Sequence, residues 1–249
     1  MRATRPFTPI FRVDILPAME AVILDAAKGW LHEADRWGAN HGTKKRQWPH
    51  PACSSYAAYN ALEPYAVLHG HGMAIREIDP MSIHRLAMQI DGLEGGEAET
   101  ATTLKAAMEA ACQLANQTAG VDFARFARVP VDVVGGWLSV VSPVACEMKW
   151  WWQWTRYSWL WKTLQHPGAN APVAALHAGA LVGWEPRKRT GISGSRVRAF
   201  EWHDSALEKL WIEAAAFVMA LRGEEAYGYI TPADAAALRL GRVPDGLRC

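Results

Sequence analysis

Apolar residues recur at helical spacing through most of this chain, and alternation is confined to short stretches. After an extended piece from Phe11 to Ile15, Pro17 opens a segment in which Val22, Ile23, Ala26, Ala27, Trp30 and Ala34 repeat until Gly38 stops them. A loop spans Gly38 to Pro51. Cys53 to His69 reads as a helix interrupted near Pro64, and Asp79 before Pro80 forms a cap and first turn for a helix through Ile90. Gly92 to Gly96 is a break. An Ala-rich helix follows to about Gln117, with Leu104, Met108, Ala111 and Ala115 on one face and Gly120 ending it.

Val131 to Val144 mixes β-branched residues with a Gly135-Gly136 pair, and we assign it to helix. Arg196 to Trp202 alternates enough for a short strand or extended arm. Ser205 with Glu208 three residues on is a capping box, and Leu207, Leu210, Trp211, Ala214, Phe217, Val218 and Leu221 make one apolar stripe before Gly223. A last helix runs from Thr231 to Leu240. The expected fold class is therefore mainly α: a helical globular protein with at most a few short strands. Its expected organisation is a helical N-terminal region over 1–145 and a Trp-rich, basic segment with C-terminal helices over 146–249, or one domain containing both.

Composition changes this picture at one point. The chain has 249 residues, 50% hydrophobic and 20% charged, ordinary for a globular protein and large enough for a core without metal or disulfides. Thirteen Trp against six Tyr and six Phe is not ordinary. Nine of these Trp lie between Trp150 and Trp211, and from Lys149 to Arg198 eight basic residues face the single acid Glu185. The stretch from Glu77 to Glu109 is acidic instead.

If Lys149 to Lys162 is helical, Trp150, Trp154, Tyr157 and Trp161 share one face while Trp152 and Trp159 lie nearly opposite. A helix apolar on two faces must be covered on both, by its own core, a partner or stacked bases. Trp150, Trp151, Trp152, Trp154, Trp159 and Trp161 are accordingly the candidate partner-binding residues, with burial in the protein's own core as the plainer reading.

Arg187-Lys188-Arg189-Thr190-Gly191-Ile192-Ser193-Gly194-Ser195-Arg196-Val197-Arg198 reads as a cationic loop rich in Gly and Ser, whose N–H groups and guanidinium forks suit phosphate. With Lys149, Arg156, Lys44, Lys45 and Arg46, its Arg187, Lys188, Arg189, Arg196 and Arg198 make the candidate nucleic-acid-binding set. From Arg187 to Val197 this segment resembles the basic glycine-rich loop by which repeat-associated CRISPR proteins of the ferredoxin-like class hold guide RNA. That resemblance implies a subunit of a CRISPR-type effector ribonucleoprotein and carries over no catalytic residue.

Catalytic chemistry has fewer signals. His69-Gly70-His71 and the set His41, His50 and Cys53 offer metal donors, but no H-E-x-x-H or paired C-x-x-C accompanies them. No serine sits in a nucleophile elbow. A metal-independent nuclease using His166, His177 or His203 is the remaining catalytic reading.

The expectation is thus a non-catalytic nucleic-acid-binding subunit of a prokaryotic ribonucleoprotein, possessing antiviral-defense character, with RNA or DNA and other protein subunits as partners. No cofactor, metal or membrane partner is expected. Widely spaced cysteines and a leaderless N-terminus point to the cytoplasm. The alternative is a protein–protein interaction factor, a phage-type inhibitor or assembly adaptor, with no nucleic-acid role.

Overall fold

The computed structural model describes residues 11–27, 52–93, 101–157, 163–165, 168, 170–189, 196–204, 209–221 and 223–244. The first half supplies strand β1 (Arg12–Val13) and helices α1 (Pro17–Ala27), α2 (Cys53–Leu68), α3 (Gly72–Arg76), α4 (Pro80–Ile90) and α5 (Leu104–Ala119). Strand β2 (Arg125–Arg128) then leads through a 3-10 turn at Val131–Val133 into α6 (Val134–Val140). The second half contains β3 (Val144–Trp151), α7 (Trp152–Tyr157), β4 (Thr163–Leu164), β5 (Val173–Arg189), β6 (Arg196–Asp204), β7 (Lys209–Glu213), α8 (Ala214–Leu221), β8 (Ala226–Ile230) and α9 (Pro232–Arg239).

The helices begin and end where their local chemistry dictates. Asp79 accepts the Met81 N–H ahead of α4, Thr103 accepts the Ala106 N–H ahead of α5, and Thr231 accepts the Asp234 N–H ahead of α9. Gly120 closes α5 at φ 70°, a left-handed conformation open to glycine. Leu104, Met108, Ala111 and Ala115 all face the core. Pro64 does not interrupt α2, which runs unbroken through it and is buried from Ser54 to Ala66. Its missing N–H forfeits one bond to the preceding turn, a loss that packing on every side offsets.

The mainly helical expectation is overturned by an eight-stranded mixed sheet, in the order β1-β2-β8-β3-β5-β6-β7-β4. Strands β1 and β2 pair in parallel, as do β4 and β7, and the remaining neighbours are antiparallel. Two segments account for the error. The first is the Trp run, where β3 occupies Val144–Trp151 and only Trp152–Tyr157 is helical. Glu147 and Lys149 do alternate with the buried Met148 and Trp150 there, but that alternation spans only four residues and runs straight into Trp151 and Trp152, which hides it in an apparently helical Trp run. The second is the stripe after Ser205, where Lys209–Glu213 is a strand and the helix starts at Ala214. There Leu210 and Ile212 gain more by pairing with Trp202 and Phe200 of β6 than by extending the helix. The capping box itself, Ser205 to Glu208, lies outside the described residues.

Helix α2 packs against β5, β3, β8 and α5, which puts it at the centre of the molecule. The Tyr229 hydroxyl on β8 donates to the Ala58 carbonyl of α2 at 3.0 Å, fixing the helix on that face of the sheet. No helix among the described residues is long and apolar enough to cross a membrane.

Candidate active site

Helix α2 starts at Cys53, and the preceding Ala52 provides no side-chain cap. The first N–H groups of a helix have no intrahelical partner and the axis dipole concentrates positive charge there. A thiol in that position is biased toward thiolate. Cys53 is partly exposed, whereas its neighbour Ser54 is buried and donates its hydroxyl to the Thr102 carbonyl at 3.1 Å.

Strand β5 brings His177 within hydrogen-bonding reach of the Cys53 sulfur, and the Ala178 N–H also reaches that sulfur. Strand β6 brings Asp204. In the β5–β6 register Asp204 lies opposite Gly179, two residues beyond His177 and therefore on the same face. His177 Nε2 and Asp204 Oδ2 are 2.6 Å apart, which leaves Nδ1 as the ring nitrogen for the sulfur. Asp204 is fully buried, and the same Oδ2 accepts the Trp202 indole N–H at 3.1 Å.

The electrostatics follow from these contacts. Burial alone would push the Cys53 thiol up, but the hydrogen bond and charge of His177, together with the Ala178 N–H, bring it below its ordinary value. Burial would lower His177, yet the hydrogen bonds and charges of Asp204 and Cys53 raise it to about 10. A lowered thiol beside a raised imidazole shifts the balance toward a thiolate–imidazolium pair.

Tryptophan packs beside His177. Trp150 meets the His177 ring edge-on at 5.0 Å between centroids, with Trp154 at 5.2 Å and Trp202 at 6.4 Å from Trp150. Trp202 lies flat against β5 only because residue 179 is glycine: a Cβ there would overlap the indole. The arrangement supplies a nucleophile, a proton donor and acceptor, a buried orienting carboxylate and an electropositive helix end, the parts needed for acyl transfer.

The residues expected to bind ligands lie elsewhere. Trp150, Trp151 and Trp154 are buried, and only Trp152, 57% exposed, faces outward among the described members of that set. Lys149 pairs with Glu224 at 3.6 Å. Lys188 pairs with Glu185 at 3.2 Å and sits 4.0 Å from the centre of the Trp211 ring, while Arg198 lies 5.5 Å over Trp184. Arg196 is exposed at the start of β6, Arg187 and Arg189 lie in β5, and Arg156 lies in α7. Lys44, Lys45, Arg46, Trp159 and Trp161 fall outside the described residues, as do His41, His50 and His166. His71 packs on Phe123, His69 on Tyr65, and His203 bonds Glu201 at 2.9 Å.

Cys53 and His177 appear in the sequence reading only as a metal donor and a nuclease candidate, and Asp204 not at all. The available signal is a cysteine opening a helix of small residues, which no local spacing connects to a histidine 124 positions later. A separate cleft of about 490 Å³ includes Arg12, Asp14, Glu20 and Arg128 in its lining, but not Cys53, His177 or Asp204.

No family model matches the chain and no curated protein matches it in sequence. Solved structures do match in fold. Xylellain, a cysteine protease from Xylella fastidiosa, aligns over 93% of this chain and 98% of its own at a TM-score of 0.54 and 12% identity. The cysteine protease and lectin-like domains of Cwp84, a surface-layer-associated protein of Clostridium difficile, align over 90% of this chain and 63% of theirs at 0.56 and 13%. Digestive procathepsin L 3 of Tenebrio molitor aligns over 80% and 70% at 0.56 and 10%.

The chain thus has the fold of papain-like cysteine proteases. This corrects the resemblance to CRISPR subunits: the basic residues that carried it end β5 and begin β6 of the sheet, and the neighbours are cysteine proteases. The same neighbours count against a non-catalytic subunit with nucleic-acid and ribonucleoprotein partners, and equally against an inhibitor or adaptor.

Proposed function

We propose that this chain is a thiol-dependent peptidase in which Cys53 is the nucleophile, His177 the acid and base, and Asp204 the residue that orients and charges His177. The observation that carries the reading is the hydrogen-bonded series Cys53, His177 and Asp204 at the N-terminus of the central helix. The likeness in fold to cysteine proteases supports it.

The Cys53 thiolate attacks the carbonyl carbon of a peptide bond, and the carbonyl oxygen takes up negative charge. Free N–H groups in the first turn of α2, that of Cys53 among them, are the donors for this oxyanion. Collapse of the tetrahedral adduct breaks the C–N bond as His177 gives its proton to the departing amine. A water molecule then gives a proton to His177 and attacks the thioester, releasing the acid and restoring the thiolate. Asp204 remains ionised throughout and stabilises the imidazolium.

A reducing, cytoplasmic setting belongs to the same proposal, supported by Cys53, Cys112 and Cys146 all being free thiols. The test is hydrolysis of fluorogenic peptide amides by the wild-type and Cys53→Ala proteins, with mass spectrometry after iodoacetamide. Expected are activity that falls by about 10³-fold or more in the variant and alkylation at Cys53 ahead of the buried cysteines. Equal, slow alkylation of all cysteines with no hydrolysis would refute the reading.

A further inference from the structure

The cleft that lies apart from Cys53 is built from three pieces of the chain: β1 with the start of α1, the end of β2 with the turn after it, and the end of α8 with the segment that follows. At about 490 Å³ it falls in the size range of small-ligand sites. Part of its wall is apolar, from the buried Val13, Val129 and Leu221.

Five charged side chains also line it, and three of them are engaged: Arg12 pairs with Asp14 at 3.6 Å, and Glu224 pairs with Lys149 at 3.6 Å. The side chains of Arg128 and Glu20 make no hydrogen bond or ion pair among the described residues, with each other or with anything else. Arg128 lies opposite Tyr227 and two residues past Phe126, the partner of Arg12, so both arginines belong to one face of the sheet. Their charges converge there. Burial, with the hydrogen bond and charge of Glu225, pushes the Tyr227 hydroxyl up, and Arg128 and then Arg12 pull it back. Glu20 sits in the first turn of α1, where the positive end of the helix dipole favours an ionised carboxylate.

The cleft thus holds one unpaired anion, one unpaired cation with a second guanidinium near it, and apolar wall. A metal ion or inorganic phosphate would answer only one of the two charges. A single amino acid carries both of its own on one carbon and would leave most of the volume empty. An extended peptide of two or three residues separates its terminal ammonium and carboxylate by about 7–10 Å. The cleft has the volume of a sphere roughly 10 Å across.

We infer that this cleft is a binding site for free di- and tripeptides, with the terminal carboxylate on Arg128, Arg12 beside it, and the terminal ammonium on Glu20. Guanidinium and carboxylate meet as a fork of two charge-assisted hydrogen bonds, and the Glu20 carboxylate accepts from the ammonium. Val129 and Leu221 offer apolar surface to the peptide between its ends. The site is separate from the proposed catalytic one and does not depend on the peptidase reading, although its ligand is of the class that a peptidase releases.

The test is calorimetric titration of Cys53→Ala protein, which lacks the proposed nucleophile, with trialanine, N-acetyl-trialanine and trialanine amide. Trialanine should bind, and each cap should weaken it about tenfold or more. In the same background Glu20→Gln should erase the penalty of acetylation and keep that of amidation, and Arg128→Gln should do the reverse. Penalties that persist in both variants would place the peptide elsewhere, the Cys53 site included, and overturn the assignment. So would capped and free peptides that bind alike, no binding at all, or inorganic phosphate bound through Arg128 without affinity for trialanine. The crossed pattern in a protein whose wild type hydrolyses no peptide amide would uphold the cleft and overturn the peptidase reading alone. Hydrolysis without the pattern would do the opposite.

Discussion

Replacing Asp204 by Asn separates charge from shape at the base of the proposed site. The ordinary histidine value of 6.5 becomes about 10 for His177, although burial pulls the other way. Each pH unit corresponds to ~1.4 kcal/mol, so the net effect, with the opposing burial already deducted, favours the imidazolium by on the order of 5 kcal/mol, and Asp204 with Cys53 supply at least that. Asn retains an acceptor for the ring but removes one of the two charges. If that charge carries about half the effect, the His177 pKa falls by roughly two pH units. The direction in catalysis is fixed: His177 must be protonated to support the thiolate and to protonate the leaving amine, so activity is present below its pKa and lost as pH rises through it. The basic limb of kcat/KM, near pH 10 in wild type, should therefore move down to about pH 8 in Asp204→Asn. Stability has the same sign, because a folded-state pKa above the unfolded one stabilises the protein fully below pH 6.5 and ceases to do so through about pH 10. The thermal midpoint should thus drop more between pH 6 and pH 10.5 in wild type than in Asp204→Asn. A pH–rate profile whose basic limb does not move would refute the assignment of Asp204 as the charge that holds His177 protonated.

Gly179→Ala should destabilise the fold by about 1–3 kcal/mol in chemical denaturation, because the new methyl must displace the Trp202 indole. The surviving folded fraction should also lose activity, since Trp202 shares its acceptor with His177. Tyr65→Phe removes the hydroxyl that donates to Asp204's distant counterpart Asp234 at 3.0 Å, in full burial at the other end of α2. It should cost about 1–3 kcal/mol of stability and leave the pH profile of kcat/KM where it was. A shift of that profile would show that the two ends of α2 are coupled.

The helices that cap themselves were legible in the sequence, and the sheet was not. Asp79, Thr103 and Thr231 each satisfy a backbone N–H within three residues, so the signal and the structure it makes lie in the same few positions. Strand β3 depends on partners far away: Val144 faces Leu181 on one side and Gly228 on the other. No window contains both. The site follows the same division. Cys53 at a helix start is local, but His177 and Asp204 acquire meaning only when β5 and β6 pair in the register that sets Asp204 against Gly179.

The tryptophans connect the two. A buried ion pair such as His177 with Asp204 is sustained only if solvent is kept out and the remaining polar atoms are bonded. Trp150 packs against the ring with Trp154 and Trp202 against Trp150 in turn, and each of Trp137, Trp154, Trp184 and Trp202 finds an acceptor for its indole N–H, at Ser142, Gln165, Ser139 and Asp204. Rigid side chains with one donor each can fill space around a charge without leaving an unsatisfied polar atom behind. The close approach they require explains the paired glycines: Gly228 makes room for Trp137 as Gly179 does for Trp202. Trp150 and Trp154, which read as part of a surface awaiting a partner, are in the fold packed beside the proposed catalytic site, and Lys149, Lys188 and Arg198 are drawn in by ring faces and carboxylates of the chain itself.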